Sequence, residues 1–390
     1  MPIRILVVDD EPDVEALMRQ KFRRQVREGL YEFHFAHDGE DALERIKQIP
    51  DLDIVVTDIN MPRMDGLTLL EKIKESGQRL NAVVVSAYGD MGNIRTAMNR
   101  GAFDFLTKPI DFSDFEITLA KTWDQSQRAK QAARNQEQLT SIIQELKVAS
   151  IIQKAILPSQ FPAFPGRDEF DIYARNIPAK EVSGDFYDFF LVGESRLCFL
   201  IGDVSGKGVP SALFMAICRT LLRSAAEESH NAAAVLENVN RRLCLEDYSS
   251  MFTTLTFGIL ETGTGVVELC SAGHELPYAD LQGGEFQPLP LPPNLALGVE
   301  PEFQYRNYAV TLRAGETILL YTDGVTEAHN SKRALFQPSR LEELLESQRN
   351  RTPRELIDAV FVALEAFTGD TPISDDITAL AIRYLGSPAQ

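Results

Sequence analysis

A chain of 390 residues has room for two or three domains, and 44% apolar with 25% charged residues is ordinary for globular protein. A formal net charge of −18 argues against general affinity for nucleic acid or acidic membranes. Cys198, Cys218, Cys244 and Cys270 form no CxxC pair and read as buried thiols in a reducing cytoplasm. Asp9, Asp10 and Glu11 come too early for a signal peptide, and no apolar run reads as a membrane span, so the expected location is cytoplasmic.

From Ile3 to about Lys121, short apolar runs alternate with amphipathic helical runs. The strand candidates are Ile3–Val8, Tyr31–Phe35, Ile54–Thr57, Ala82–Ser86 and Phe103–Leu106. Five such units predict an α/β doubly wound parallel sheet, whose ligand site lies beyond the carboxyl ends of the strands. Asp9, Asp10, Asp58, Ser86 and Lys108 all stand there. One such residue would be an ordinary loop residue; five at the ends of four strands make a site. The set resembles the receiver domain of two-component response regulators, over residues 1–122. The resemblance implies that Asp58 accepts a phosphoryl group from a sensor histidine kinase. It implies Mg²⁺ held by Asp10, Asp58 and the Asn60 carbonyl, with Asp9 assisting, and phosphoryl contacts from Ser86 and Lys108. A carboxylate nucleophile needs a cation to screen the incoming phosphate. Phe105 stands where many receivers carry a switching tyrosine, so the hydroxyl bond of that switch is missing. The tight turn at Lys108-Pro109 favours a cis bond.

Residues 123–158 read as a helical linker, free of Gly and Pro from Trp123 to Leu157. Leu139, Ile142, Leu146, Ala149 and Ile156 fit an a/d spacing that Gln153 interrupts. That predicts a short parallel coiled coil and a homodimer; the alternative is a helix packed on its own downstream domain. The basic residues Lys121, Arg128, Lys130 and Arg134 read as a solvated face. The Pro-rich stretch 158–166 closes the helix.

Residues 159–386 form the output domain, with a frayed tail expected from Gly386 to the end. Strand signals dominate at 169–175, 184–203, 252–282 and 305–322; helical patterns appear at 209–228, 231–246, 339–347 and 353–366. The stretch SGDFYDFFLVGESRLCFLIGDVSGKGVP reads as a hairpin about Glu194. Asp185 and Asp203 then face each other at the mouth of an apolar face made by Tyr187, Phe189, Leu191, Leu197, Phe199 and Ile201. Opposed carboxylates repel, and a divalent cation removes the repulsion. Asp323 ends the run Thr317–Thr322, and Asp375 and Asp376 precede Ile377–Ile382.

The segments EVSGDFYD, GDVSGKGVPSAL, SAGHELP, YTDGVTEA and SDDITAL resemble, in order, the motifs of SpoIIE-type serine/threonine phosphatases of the metal-dependent PPM family. The later motifs exclude a GGDEF-type cyclic-dinucleotide synthase, for which SGDFYD alone could be mistaken. The resemblance implies an α+β fold, an antiparallel β-sandwich flanked by helices. It implies two Mn²⁺ or Mg²⁺ ions held by Asp185, Asp203, the Val204 carbonyl, Asp323 and Asp375, with Asp376 as second choice to Asp375. The implied reaction is hydrolysis of phosphoserine or phosphothreonine in a protein. The implied substrate is the phosphorylated anti-sigma-factor antagonist of a partner-switching stress pathway. His274 could act as a general acid or shape a turn, and the turn is the favoured role. Gly206-Lys207-Gly208 lacks a Walker A pattern, so nucleotide binding is not expected. The alternative function is a non-catalytic adaptor that binds a stress sigma factor or an anti-sigma component. Such an adaptor could discard its metal carboxylates, and here all are present.

Overall fold

The computed structural model describes residues 2–77, 80–87, 90–245 and 251–386. The expected tail lies almost wholly outside them. The chain divides into two compact units, Met1–Ser141 and Ile142–Gln390.

In the first unit, β1 (Ile3–Val8), α1 (Pro12–Lys21), α2 (Arg23–Arg27), β2 (Tyr31–Ala36), α3 (Gly39–Gln48), β3 (Ile54–Asp58), α4 (Gly66–Glu75), β4 (Asn81–Ala87), α5 (Met91–Arg100) and β5 (Asp104–Lys108) lead into α6 (Phe112–Ile156). The five strands pair in parallel in the order β2-β1-β3-β4-β5. Central strands of such a sheet are covered on both faces and need continuous apolar runs. Leu6, Val8, Val55 and Val84 face one core, with α3 and α4; Ile5, Val7, Val56 and Val83 face the other, with Met18, Phe22, Phe115 and Leu119. The Lys108-Pro109 bond is cis.

In α6 the end within the first unit is buried through Phe115 and Leu119, whereas Leu139, Ile142, Ile143, Val148, Ile151 and Ile152 are exposed. Further on, Gln153 is buried and clamps the backbone of Ser183: its amide donates to the Ser183 carbonyl at 2.6 Å and its carbonyl accepts the Ser183 N–H at 2.9 Å. Gln153 therefore breaks the a/d pattern because it serves the second unit's own fold. The end of the helix follows the packed-helix alternative, and the exposed residues before it are left to the coiled-coil reading.

The second unit contains β6 (Phe170–Ile177), β7 (Phe186–Val192), β8 (Arg196–Val204), α7 (Val209–Glu228), α8 (Ala232–Leu245), β9 (Thr253–Glu261), β10 (Val266–Ala272), β11 (Tyr278–Ala279), β12 (Gln287–Pro288), β13 (Tyr308–Thr311), β14 (Thr317–Tyr321), α9 (Asp323–Thr326), α10 (Gln337–Glu346), α11 (Pro353–Thr368) and β15 (Ile377–Tyr384). Two antiparallel sheets, β13-β10-β9-β8-β7 and β12-β11-β14-β15-β6, pack face to face. The helices α7 and α8 cover the first sheet and α11 the second. The expected hairpin register holds residue for residue: Phe186 pairs with Gly202, Phe189 with Phe199 and Val192 with Arg196.

One expectation is corrected. By length and composition α7 is apolar enough to cross a membrane. Its apolar face instead packs through Phe214, Met215, Cys218 and Leu222. Its Arg219 and Arg223 bind the fully buried Asp188 of β7, Arg223 bidentately at 2.6 and 2.7 Å. These contacts lay one face of α7 on the first sheet.

Candidate functional site

Parallel strands bring the carboxyl ends of β1, β3, β4 and β5 to one edge of the first unit. Carboxylate oxygens of Asp9, Asp10 and Asp58 lie within 4.8 Å of one another. The Lys108 ammonium donates to Asp58 at 2.6 Å and Glu11 at 3.0 Å, and lies 3.1 Å from Asp9. Burial by itself lowers that ammonium's pKa; the three carboxylates outweigh it and raise it, so Lys108 stays charged. Burial raises Asp9, against the Glu11 amide and Lys108. The Asn60 amide approaches Asp58 at 3.4 Å. Ser86 is fully buried, and its hydroxyl has no hydrogen-bond partner among the described residues. A buried orphan hydroxyl costs about 1–3 kcal/mol, which a ligand oxygen would recover. Three clustered carboxylates beside one ammonium suit a hard divalent cation such as Mg²⁺. Gly66 lets α4 start hard against β3, since any side chain there would strike the Asp58 carbonyl.

In the second unit the carboxylates come from both sheets. Asp185 enters β7 and Asp203 lies in β8; Asp323 follows β14 and Asp375 precedes β15. Asp185 is 1% exposed, and its Oδ2 accepts the hydroxyls of Thr322 and Thr378, each at 2.7 Å. Asn176 donates to the Thr378 hydroxyl at 2.7 Å, so the second sheet orients the first sheet's aspartate. The Asp185 and Asp203 carboxyls are within hydrogen-bonding reach of each other. Burial, then repulsion by Asp203, holds Asp185 well above the usual carboxylate range. Burial, then the charges of Asp323 and Asp375, pushes Asp203 up to about 7. Burial also raises Asp323, with Asp375 adding to it. An all-oxygen set that resists ionisation this strongly is short of positive charge and fits hard divalent ions. A cleft of about 350 Å³ opens beside it, lined by Asp203, Ser205, Gly206, Phe252, Thr254, Glu275 and Asp323 among others.

The comparisons with known proteins agree with both geometries. A response regulator receiver domain model matches residues 5–120, and a model of Stage II sporulation protein E (SpoIIE) matches residues 193–385. The chemotaxis protein CheY of Treponema pallidum is 39% identical over 111 residues, 28% of this chain and 75% of that protein. The chain is a response regulator with a SpoIIE-type output domain. Phosphoserine phosphatase RsbU of Bacillus subtilis is 29% identical over 271 residues, 69% of this chain and 78% of RsbU. The SiaA-PP2C domain of Pseudomonas aeruginosa superposes with TM-score 0.56 at 26% identity, covering 63% of this chain and 98% of that domain.

In the receiver, Asp9, Asp10, Asp58, Ser86 and Lys108 stand on one edge, and Phe105 is exposed on β5. In the SpoIIE-type unit the two adjacent aspartates diverge. Asp376 spends both oxygens on backbone, accepting the amides of Ala179 and Gly184 at 2.7 Å each. Asp375 instead takes the Lys207 ammonium at 2.8 Å. Gly324 permits this packing, because a side chain there would strike the Asp376 carbonyl. Gly184 lies against the Val204 carbonyl, where an added side chain carbon would come within 3.0 Å. The Nδ1 of His274 meets the Thr254 hydroxyl at 2.9 Å, and burial pushes the imidazole down to about 4, so it is neutral at pH 7. Sequence reasoning passed over Glu11, Gln153, Asn176, Thr322 and Thr378. The two threonines had a signal: one immediately precedes Asp323, and the other closes the Asp-Asp-Ile-Thr run. Asn176 had none, since its role arises from strand pairing with Thr378.

Proposed function

We propose that the chain is a phosphorylation-controlled protein serine/threonine phosphatase. Residues 1–122 act as receiver, 123–158 as linker and 159–386 as the hydrolytic domain. Asp58 takes the phosphoryl group from a sensor histidine kinase. Asp9, Asp10, Asp58 and the Asn60 carbonyl hold Mg²⁺. Lys108 neutralises the acyl phosphate, and Ser86 gives its unpartnered hydroxyl to a phosphoryl oxygen. In the output domain Asp185, Asp203, Asp323, Asp375 and the Val204 carbonyl hold two Mn²⁺ or Mg²⁺ ions; Asp375 is preferred to Asp376 because the latter's oxygens are engaged by backbone amides. Divalent ions there supply an activated water and charge for the phosphoryl oxygens. The cleft holds the phosphoserine; the water's oxygen bonds to phosphorus as the serine oxygen leaves and takes a proton. The products are serine and inorganic phosphate.

The Asp185–Asp203 pair carries this reading: Asp185 is fully buried, oriented by two threonines and raised by burial and then the charge of Asp203, while Asp203 is raised by burial and then the charges of Asp323 and Asp375. A pure adaptor gains nothing from so costly a pair. The substrate we propose is the phosphorylated anti-sigma-factor antagonist of a stress pathway, and the place of action the cytoplasm. The exposed Leu139 and Ile142 on α6 support a homodimer through the linker. The test is release of phosphate from the antagonist phosphoprotein with Mn²⁺, comparing the wild type with Asp203→Asn. Hydrolysis by the wild type alone, abolished by chelator, is expected; equal ion-independent turnover by both would overturn the reading.

A further inference from the structure

The carboxylate cluster of the output domain carries a cation of its own. Gly206 and Gly208 have φ of 88° and 90°, in the left-handed region that favours glycine. The sharp loop they make between β8 and α7 delivers Lys207 to the cluster. Its ammonium donates to Asp375 Oδ2 at 2.8 Å and to the Ser374 carbonyl at 2.9 Å. It also acts electrostatically on Asp203, Asp323 and Asp376. The side chain is 44% exposed, on a flexible four-carbon stem. The adjoining cleft, by contrast, is lined by carboxylates: its described charged side chains are Asp203, Glu275 and Asp323. A phosphoserine brings two more negative charges into that field.

We propose that Lys207 is a substrate-binding residue that exchanges partners. In the ion-free protein its ammonium neutralises Asp375. When Asp375 is given over to a divalent ion, the ammonium turns to a phosphoryl oxygen of the substrate, keeping its proton throughout. This rests on the phosphatase reading and adds a residue to it. Its two consequences have opposite signs. Lys207 competes for Asp375 and so weakens ion binding, but it strengthens binding of phosphate. A lysine that merely held the loop in place would support both.

The experiment uses the full chain with Lys207→Met and Lys207→Arg. Calorimetry measures Mn²⁺ binding without substrate, and inorganic phosphate is titrated as inhibitor of p-nitrophenyl phosphate hydrolysis at saturating Mn²⁺. Removing a half-exposed ion pair should tighten Mn²⁺ binding about two- to five-fold in Lys207→Met. Loss of a charge-assisted contact should weaken phosphate inhibition about tenfold, with Lys207→Arg restoring it. Tighter Mn²⁺ binding with unchanged phosphate inhibition, both constants unmoved, or both weakened would overturn the proposal. A wild type that neither binds Mn²⁺ nor hydrolyses substrate would sink the phosphatase reading and this one with it. A wild type that does both, with unmoved constants in the variant, sinks only the role of Lys207.

Discussion

Replacing Asp203 with asparagine should stabilise the ion-free protein at pH 8 while abolishing hydrolysis. The fold pushes this carboxyl from 3.8 up to about 7, by burial first and then by the charges of Asp323 and Asp375. At about 1.4 kcal/mol per pH unit, ionising it within the fold costs on the order of 4 kcal/mol relative to the unfolded chain. Between roughly pH 4 and pH 7 the folded state keeps a proton that the unfolded chain has released. Stability therefore falls as pH rises through that window and stays low above it. Asp185, raised by burial and by Asp203, works in the same direction. Asparagine resembles the neutral acid and removes the cost. Calorimetric unfolding in chelator, reading the transition that Mn²⁺ raises in the wild type, measures this. At about 2–4 °C per kcal/mol, the variant should melt about 10 °C above the wild type at pH 8. The gap should close near pH 4, and Mn²⁺ should raise the wild type far more than the variant. A variant melting at or below the wild type at pH 8, or a gap independent of pH, would refute the reasoning.

Three further outcomes are expected. Acetyl phosphate with Mg²⁺ should label the wild type but not Asp58→Asn; label persisting in the variant would mean another acceptor. Asp188→Ala should cost about 3–5 kcal/mol in urea unfolding, because Arg219 and Arg223 lose a fully buried partner; a loss below 1 kcal/mol would show the ion pairs to be idle. Ile142→Glu with Leu146→Glu should weaken dimerisation in sedimentation with and without beryllofluoride, and uncouple activity from Asp58. A dimer that persists and still responds would assign the helix to packing alone.

Much of this protein was legible in its sequence. Parallel strands buried on both faces demand apolar runs, so the stretches Ile5–Val8 and Ile54–Val56 marked the receiver sheet, and the polar residues at the strand ends its site. Side chains alternate along a strand, so a turn centred on Glu194 was enough to set the hairpin register from Val192–Arg196 to Phe186–Gly202, the pair next to Asp185 and Asp203. The sequence alone could not say what Gln153 does. Its place in an apolar repeat looked like a flaw, and its partner Ser183 lies 30 residues away. The resemblance ranked Asp375 ahead of Asp376, but the two residues, adjacent and chemically identical, carry no physical reason for the ranking in the sequence. Only the tertiary fold turns one toward Lys207 and the other toward the amides of Ala179 and Gly184. The physical reason is the same in each case. Periodicity within one element follows from backbone geometry and is written locally. The partner of a buried polar group depends on which distant strands the fold brings beside it, as Asn176 reaches the Asp185 carboxylate through Thr378.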